Sequence, residues 1–121
     1  MCGFSGFLNF NPNWGDPLTL LQQMGDQLTH RGPDDSGVWF DNNCGVGLSH
    51  RRLSIIDLSA QGHQPMSSTS GRFVIAYNGE IYNHQELKKE LLQAGVIFRG
   101  GSDTEVLLAA IESWGIKQTL Q

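Results

Sequence analysis

At 121 residues the chain has room for about one small domain, and its 39% hydrophobic and 17% charged content is that of an ordinary water-soluble fold. A net charge of −4 without any Lys/Arg cluster argues against nucleic acid and anionic membrane as partners. No apolar run approaches the ~20 residues that span a bilayer. The start lacks the basic and apolar regions of a secretory signal, and Cys2 and Cys44 make no disulfide framework, so the cytoplasm is the expected compartment.

Met1-Cys2-Gly3-Phe4-Ser5-Gly6-Phe7 places a thiol at position two, behind an initiator methionine of the kind aminopeptidases remove before a small side chain. Without Met1, Cys2 would carry a nucleophilic sulfur and a free α-amine on one residue. The amine, with a reference pKa of ~7.7–8.0, is unprotonated often enough at neutral pH to take the thiol proton. Taken alone, a cysteine at position two reads as an accident of the terminus. Gly3 and Gly6 predict room for a substrate or for backbone approach, and Phe4 and Phe7 predict anchors in a core.

Residues 3–10 alternate loosely and predict a strand. Asp16-Pro17 supplies an N-cap and a first-turn proline, and Leu18, Leu21, Met24 or Gly25, and Leu28 follow at helical spacing, predicting a helix over 17–29. His30-Arg31-Gly32-Pro33-Asp34-Asp35 breaks it. Val38-Trp39-Phe40, a turn at Asp41-Asn42-Asn43, and Cys44 to Leu48 predict a hairpin with Cys44 inside a strand as a small core residue. An apolar run from Leu53 to Leu58 follows, and 59–71 reads as a surface loop.

Phe73 to Tyr77 predicts a buried strand ending at Asn78-Gly79, the commonest two-residue hairpin turn. Asn83 with Glu86 predicts a capped helix running to Gly95, and Val96-Ile97-Phe98 a short strand. Ser102-Asp103-Thr104-Glu105 is a capping box opening a helix to Gly115. Residues 116–121 carry no terminating signal and no closing strand follows, so the chain is expected to be a cut piece. Helices interleaved with hairpin-type strands predict an α+β architecture on antiparallel sheet.

Polar residues gather at the predicted strand ends: Arg51 and Arg52, Asn78 and Glu80, and Asp103 at a helix start. Each has a bland reading as a solvated pair, a turn, or a first-turn acid facing the helix dipole. His30, His50, His63, His84 and Cys44 match no metal-ligand spacing, so no metal is expected. Arg99-Gly100-Gly101-Ser102 lacks the lysine of a Walker loop.

Six runs stand in one order: residues 1–7, residues 30–35, Ser49-His50-Arg51-Arg52-Leu53-Ser54-Ile55-Ile56-Asp57-Leu58, Gly62-His63-Gln64-Pro65-Met66, Tyr77-Asn78-Gly79-Glu80-Ile81-Tyr82-Asn83, and Ser102 to Val106. In that order the chain resembles the N-terminal glutaminase domain of glutamine-hydrolysing asparagine synthetases, a class II amidotransferase domain of the Ntn-hydrolase type. The resemblance implies a layered αββα sandwich of two antiparallel sheets, incomplete at the C-terminus, with residues 1–121 forming a partial glutaminase domain. It implies that Cys2 attacks the side-chain amide of L-glutamine through a thioester, with the Asn78 side chain and the Gly79 N–H as oxyanion hole. Arg52 would pair with the substrate α-carboxylate and Asp103 with its α-ammonium, with Glu80 and the backbone near Ile55 completing the pocket. Arg51 has no such role and is expected to face solvent.

The resemblance further implies that ammonia passes to an ATP- and Mg-dependent synthetase domain absent from this chain, in a full-length homodimer that makes asparagine from aspartate. No cofactor is expected in the chain itself. Two alternatives stand beside it: a related amidotransferase acting on another acceptor, such as a surface sugar, and a non-catalytic glutamine-binding module.

Overall fold

β3, Val46–Arg52, is the strand on which the first part of the chain is assembled. The computed structural model describes residues 1–55 and 58–121; Ile56 and Asp57, within the apolar run at 53–58, lie outside the described residues. Contacts divide the chain into two units: Met1–Ser54 with His63–Pro65 and Ala76–Asn78, and Ile55–Gly62 with Met66–Ile75 and Gly79–Gln121.

In the first unit β3 lies between β1, Gly3–Phe7, and β2, Asp35–Asp41, in an antiparallel sheet of order β1-β3-β2. The register pairs Gly3 with Arg51 and Ser5 with Ser49 on one side, and Ser36 with Arg51 and Gly37 with His50 on the other. Because side chains alternate along a strand, Gly47, Ser49 and Arg51 share one face while Leu48, His50 and Arg52 share the other. Helix α1, Pro17–Asp26, covers the first face. A Cβ on its Gly25 would lie 2.3 Å from Ser49 Oγ, so a larger residue there would require that hydroxyl to turn away. Segment 63–65 covers the second face, where a Cβ on Gly37 would lie 2.2 Å from the Gln64 carbonyl oxygen.

The predicted cap of α1 forms: Asp16 Oδ2 accepts from the Thr19 N–H and hydroxyl, both at 2.8 Å, and these bonds hold the carboxyl below its usual range. Leu21 is wholly buried beneath it. The helix stops at Asp26, earlier than the apolar spacing predicts, where tighter turns such as Leu28 N–H to Gly25 O take over. Strand β1 stops at Phe7, short of residue 10, because Asn9 enters the left-handed region (φ 53°) and turns the chain. Phe7 does anchor the strand, in a cluster with Phe10, Trp14 and Phe40 whose ring centroids lie 5.2–6.1 Å apart. Phe4, on the opposite face, is instead 51% exposed. Cys44 is exposed too: it sits in the hairpin turn, where the Asp41 carboxylate accepts the Asn43 and Cys44 N–H groups, and β3 begins only at Val46.

The second unit holds the short ladder of β4, Met66–Ser67, with β5, Val74–Ile75, and three helices: α2, His84–Gln93, α3, Asp103–Trp114, and α4, Ile116–Thr119. β4 falls inside the stretch read as loop, and β5 is two residues long and half-buried where five buried ones were expected. The cause is visible at Tyr77, whose N–H and carbonyl bond to the side chains of Gln64 and His50 in place of a neighbouring strand. Leu91, Val106 and Ala110 form the core of this unit, flanked by Leu87, Val96, Phe98 and Trp114.

Val96-Ile97-Phe98 keeps the alternation of a strand, with Ile97 85% exposed, yet pairs with no strand among the described residues. The Val96 N–H goes to Leu91 O at the end of α2, and the next donors, Arg99 and Gly100 N–H, go to the Glu105 carboxylate. Glu105 is thereby drawn away from the reciprocal arm of the capping box, of which only the Ser102 Oγ to Glu105 N–H bond forms. Asn83 precedes α2 without a side-chain cap bond, since its φ of −91° and ψ of 15° are not the extended geometry that capping needs. The architecture is α+β with antiparallel sheets. No helix among the described residues is long and apolar enough to cross a membrane.

Candidate functional site

The end of β3 is where the polar residues converge in the first unit. Cys2 stands one residue before β1, and the Gly3–Arg51 pairing carries it opposite Arg52. Its sulfur accepts from the Leu53 N–H at 3.2 Å and lies 3.5 Å from the Leu53 carbonyl oxygen. A backbone dipole is therefore aimed at the sulfur, and such a bond strengthens when its acceptor is charged. Arg52 is 8% exposed, on the face opposite α1.

The His30–Asp35 stretch fastens the same strand end from behind. Asp34 N–H donates to Arg52 O at 3.0 Å, Asp34 Oδ2 accepts from Ser54 N–H at 2.8 Å, and Gly32 O accepts from Arg51 Nε at 3.1 Å. Arg51 does not face solvent as expected. Its bond to Gly32 and a 3.8 Å contact with Asp26 make it a structural clamp on the α1 face. A Cβ on Gly32 would lie 2.3 Å from the Arg51 carbonyl carbon and 2.5 Å from Arg52 N, backbone atoms that cannot swing aside. Gly32→Ala is expected to cost at least ~1–3 kcal/mol of stability, the usual range for overpacking, read as a lowered thermal midpoint; an unchanged midpoint would contradict this packing.

Asn78 belongs to the same unit and is half-buried, and the backbone of the residue before it is held at its N–H and its carbonyl. Gln64 Oε1 accepts the Tyr77 N–H at 2.7 Å, and His50 Nε2 donates to Tyr77 O at 3.1 Å. Donation to a carbonyl requires the hydrogen on Nε2, which leaves Nδ1 bare, and it has no partner among the described residues. His50 is 1% exposed. Burial pushes its pKa below the ordinary imidazole value; the Tyr77 bond works upward, Arg52 downward, Asp35 upward and His63 downward. Neither His50 nor Gln64 stood out among the sequence candidates. The available signal was the period-two step from His50 to Arg52, which puts both on one face.

Four further candidates lie in the second unit. Asp103, the first residue of α3, is 6% exposed, and its Oδ2 accepts the Ile81 N–H at 2.9 Å. It thus binds the backbone of the 79–82 stretch as well as standing at a helix N-terminus. Gly79 and Glu80 are exposed, and Ile55 is 61% exposed. Asn78-Gly79 closes no hairpin: among the described residues the next element is α2. Gly3 opens no space for a substrate either, since a Cβ there would lie 3.3 Å from Leu28 Cβ at the end of α1. Cys2, Arg52 and Asn78 are therefore gathered in one unit, and Ile55, Gly79, Glu80 and Asp103 in the other. Among the described residues no three His, Cys, Asp or Glu side chains group as metal ligands.

Known proteins are similar to this chain over most of its length. Asparagine synthetase [glutamine-hydrolyzing] 1 of Bacillus subtilis strain 168 is 47% identical over 111 residues, covering 90% of this chain and 17% of its own length. Asparagine synthetase [glutamine-hydrolyzing] 3 of the same organism is 40% identical over 116 residues, covering 94% of this chain and 18% of its own. The amidase chry2 of Gibberella zeae is 37% identical over 125 residues, with 96% and 18% covered. The chain thus spans less than a fifth of the length of these relatives. All of residues 1–121 match the glutamine amidotransferase domain family, and with the thiol at position two and the buried arginine opposite it, the chain belongs to that family.

Proposed function

We propose that this domain hydrolyses L-glutamine to L-glutamate and ammonia, with Cys2 as nucleophile. The observation that carries the reading is the Cys2 sulfur, seated against the Leu53 N–H and opposite the buried Arg52. Once Met1 is removed, the α-amine of Cys2 takes the thiol proton and the sulfur forms a bond to the substrate Cδ. The tetrahedral adduct collapses, the C–N bond breaks, and the nitrogen leaves as ammonia carrying that proton. Water then attacks the γ-glutamyl thioester, giving glutamate and restoring the thiol. The Asn78 amide and the Gly79 N–H are the donors assigned to the oxyanion.

A free amino acid is distinguished from a protein side chain by its α-groups. Arg52 is assigned the α-carboxylate, a planar anion suited to a bidentate guanidinium. Asp103 is assigned the α-ammonium, with Glu80 and the Ile55 backbone beside it. The layered αββα sandwich is the architecture proposed for the complete domain. In the full-length protein, proposed to be a cytoplasmic homodimer, the ammonia is passed to an ATP- and Mg-dependent synthetase half that converts aspartate to asparagine. The second reading is a related amidotransferase that delivers its ammonia to another acceptor, such as a surface sugar.

The test is glutamate release by the full-length protein and by Arg52→Lys. Losing one arm of a charged bidentate pair, at ~1.5–3 kcal/mol, raises the KM for glutamine about 10–100-fold and leaves kcat less affected. An unchanged KM would remove Arg52 from substrate binding, and absence of glutamate release from the unaltered protein would favour a non-catalytic module.

A further inference from the structure

We propose that His50, together with Gln64, is a positioning residue that sets the Asn78 amide by holding the Tyr77 backbone at its carbonyl and its N–H. The proposal rests on the oxyanion role assigned to Asn78 above and concerns what aims that side chain. Segment 76–78 lies in no strand ladder among the described residues. Two buried side chains, Gln64 at 6% and His50 at 1% exposure, instead bond the two successive peptide groups that flank the Tyr77 Cα. Rotation of the Tyr77–Asn78 peptide, whose carbonyl His50 holds, turns Asn78 directly, because the Tyr77 carbonyl carbon is bonded to the Asn78 nitrogen.

Burial favours the neutral ring here. A second proton would create a buried Nδ1–H with no acceptor among the described residues, a costly unsatisfied donor. The charged groups that bear on it are Arg52 from its own strand, Asp35 from β2 and His63 from the 63–65 segment; its cross-strand partners Phe4 and Gly37 carry no charge. Arg52 and His63 oppose protonation and Asp35 favours it, with burial the largest influence. An imidazolium would keep its Nε2–H bond to Tyr77 O, so what the burial of Nδ1 fixes is the neutral ring with its one hydrogen on the clamping nitrogen.

The experiment compares His50→Gln and His50→Leu in the full-length protein, by glutaminase kinetics and by crystal structures. A glutamine side chain retains an N–H donor that reaches Tyr77 O, whereas leucine has none. Because Asn78 acts on the transition state, His50→Leu is expected to lower kcat about 10–100-fold with KM within about twofold, and His50→Gln to recover most of kcat. Should His50→Leu fail to fold, Gln64→Met removes the other arm and carries the same kcat test. Equal kcat in a folded His50→Leu, or a loss that appears in KM alone, would overturn the proposal. The structures decide independently of activity: Tyr77 and Asn78 displaced in His50→Leu and restored in His50→Gln support the clamp, and an unmoved segment overturns it even if the protein hydrolyses no glutamine.

Discussion

Cys2→Ala is expected to abolish glutamine hydrolysis, with kcat reduced on the order of 10⁴-fold or more, the scale on which removal of a covalent nucleophile operates. Binding should survive, because Arg52 and Asp103 are untouched and they are the groups assigned to the α-carboxylate and α-ammonium. The variant is therefore expected to retain glutamine affinity within a few-fold by calorimetry while releasing no glutamate. Cys44→Ser is the matched control: that thiol is exposed in the 42–45 turn, and its loss should leave kcat unchanged. A Cys2→Ala protein with appreciable turnover would place the nucleophile elsewhere. An uncleaved methionine tests the other half of the catalyst, since it ties the α-amine into a peptide bond and removes the proposed base without touching the sulfur.

The second large effect is expected at Asn78. Removal of one oxyanion donor typically costs ~10²–10³ in turnover, because the bond is made to charge that develops only in the transition state. Asn78→Ala should accordingly lower kcat by about that factor with KM within about twofold, the reverse of the pattern expected for Arg52→Lys. A rise in KM at constant kcat would instead make Asn78 a ground-state binding group. The alanine also leaves the Tyr77 clamp intact, since Gln64 and His50 bond to the Tyr77 backbone. A loss of activity there can be read as a lost donor and not as a displaced segment.

Much of the first unit was legible because local chemistry and packing agree. Asp16-Pro17 starts a helix in isolation and does so here, and the hairpin of β2 and β3 follows from two alternating runs around Asp41 to Gly45. Where the reading failed, a tertiary partner had claimed a group that local pattern assigns elsewhere. Glu105 looks like the return arm of a capping box, but Arg99 and Gly100 N–H occupy it. Phe73 to Tyr77 has the composition of a long strand, but the Tyr77 backbone is taken by two side chains far away in sequence. Arg51 and Arg52 are identical side chains in neighbouring positions, and only strand alternation sends one to Gly32 and Asp26 and the other to the face that Cys2 shares.

The candidate site was legible as residue types in motifs, and much less so as geometry. A thiol at position two and an arginine fifty residues later carry no distance information until the β1–β3 register places them opposite each other. His50 was invisible for the same reason, since a lone histidine in a strand has no marker of its neighbour at position 77. Gly32 carries its information in what cannot stand there: the backbone of Arg51 and Arg52 fills the space a Cβ needs.

The most direct measurement is peptide mass spectrometry on the full-length protein after incubation with a diazoketone analogue of glutamine, which alkylates an activated nucleophile lodged in a glutamine pocket. One adduct is expected, on a terminal peptide that begins at Cys2 without Met1, and excess glutamine should prevent it. An adduct on Cys44, no adduct at all, or full glutaminase activity in protein that retains Met1 would contradict the account.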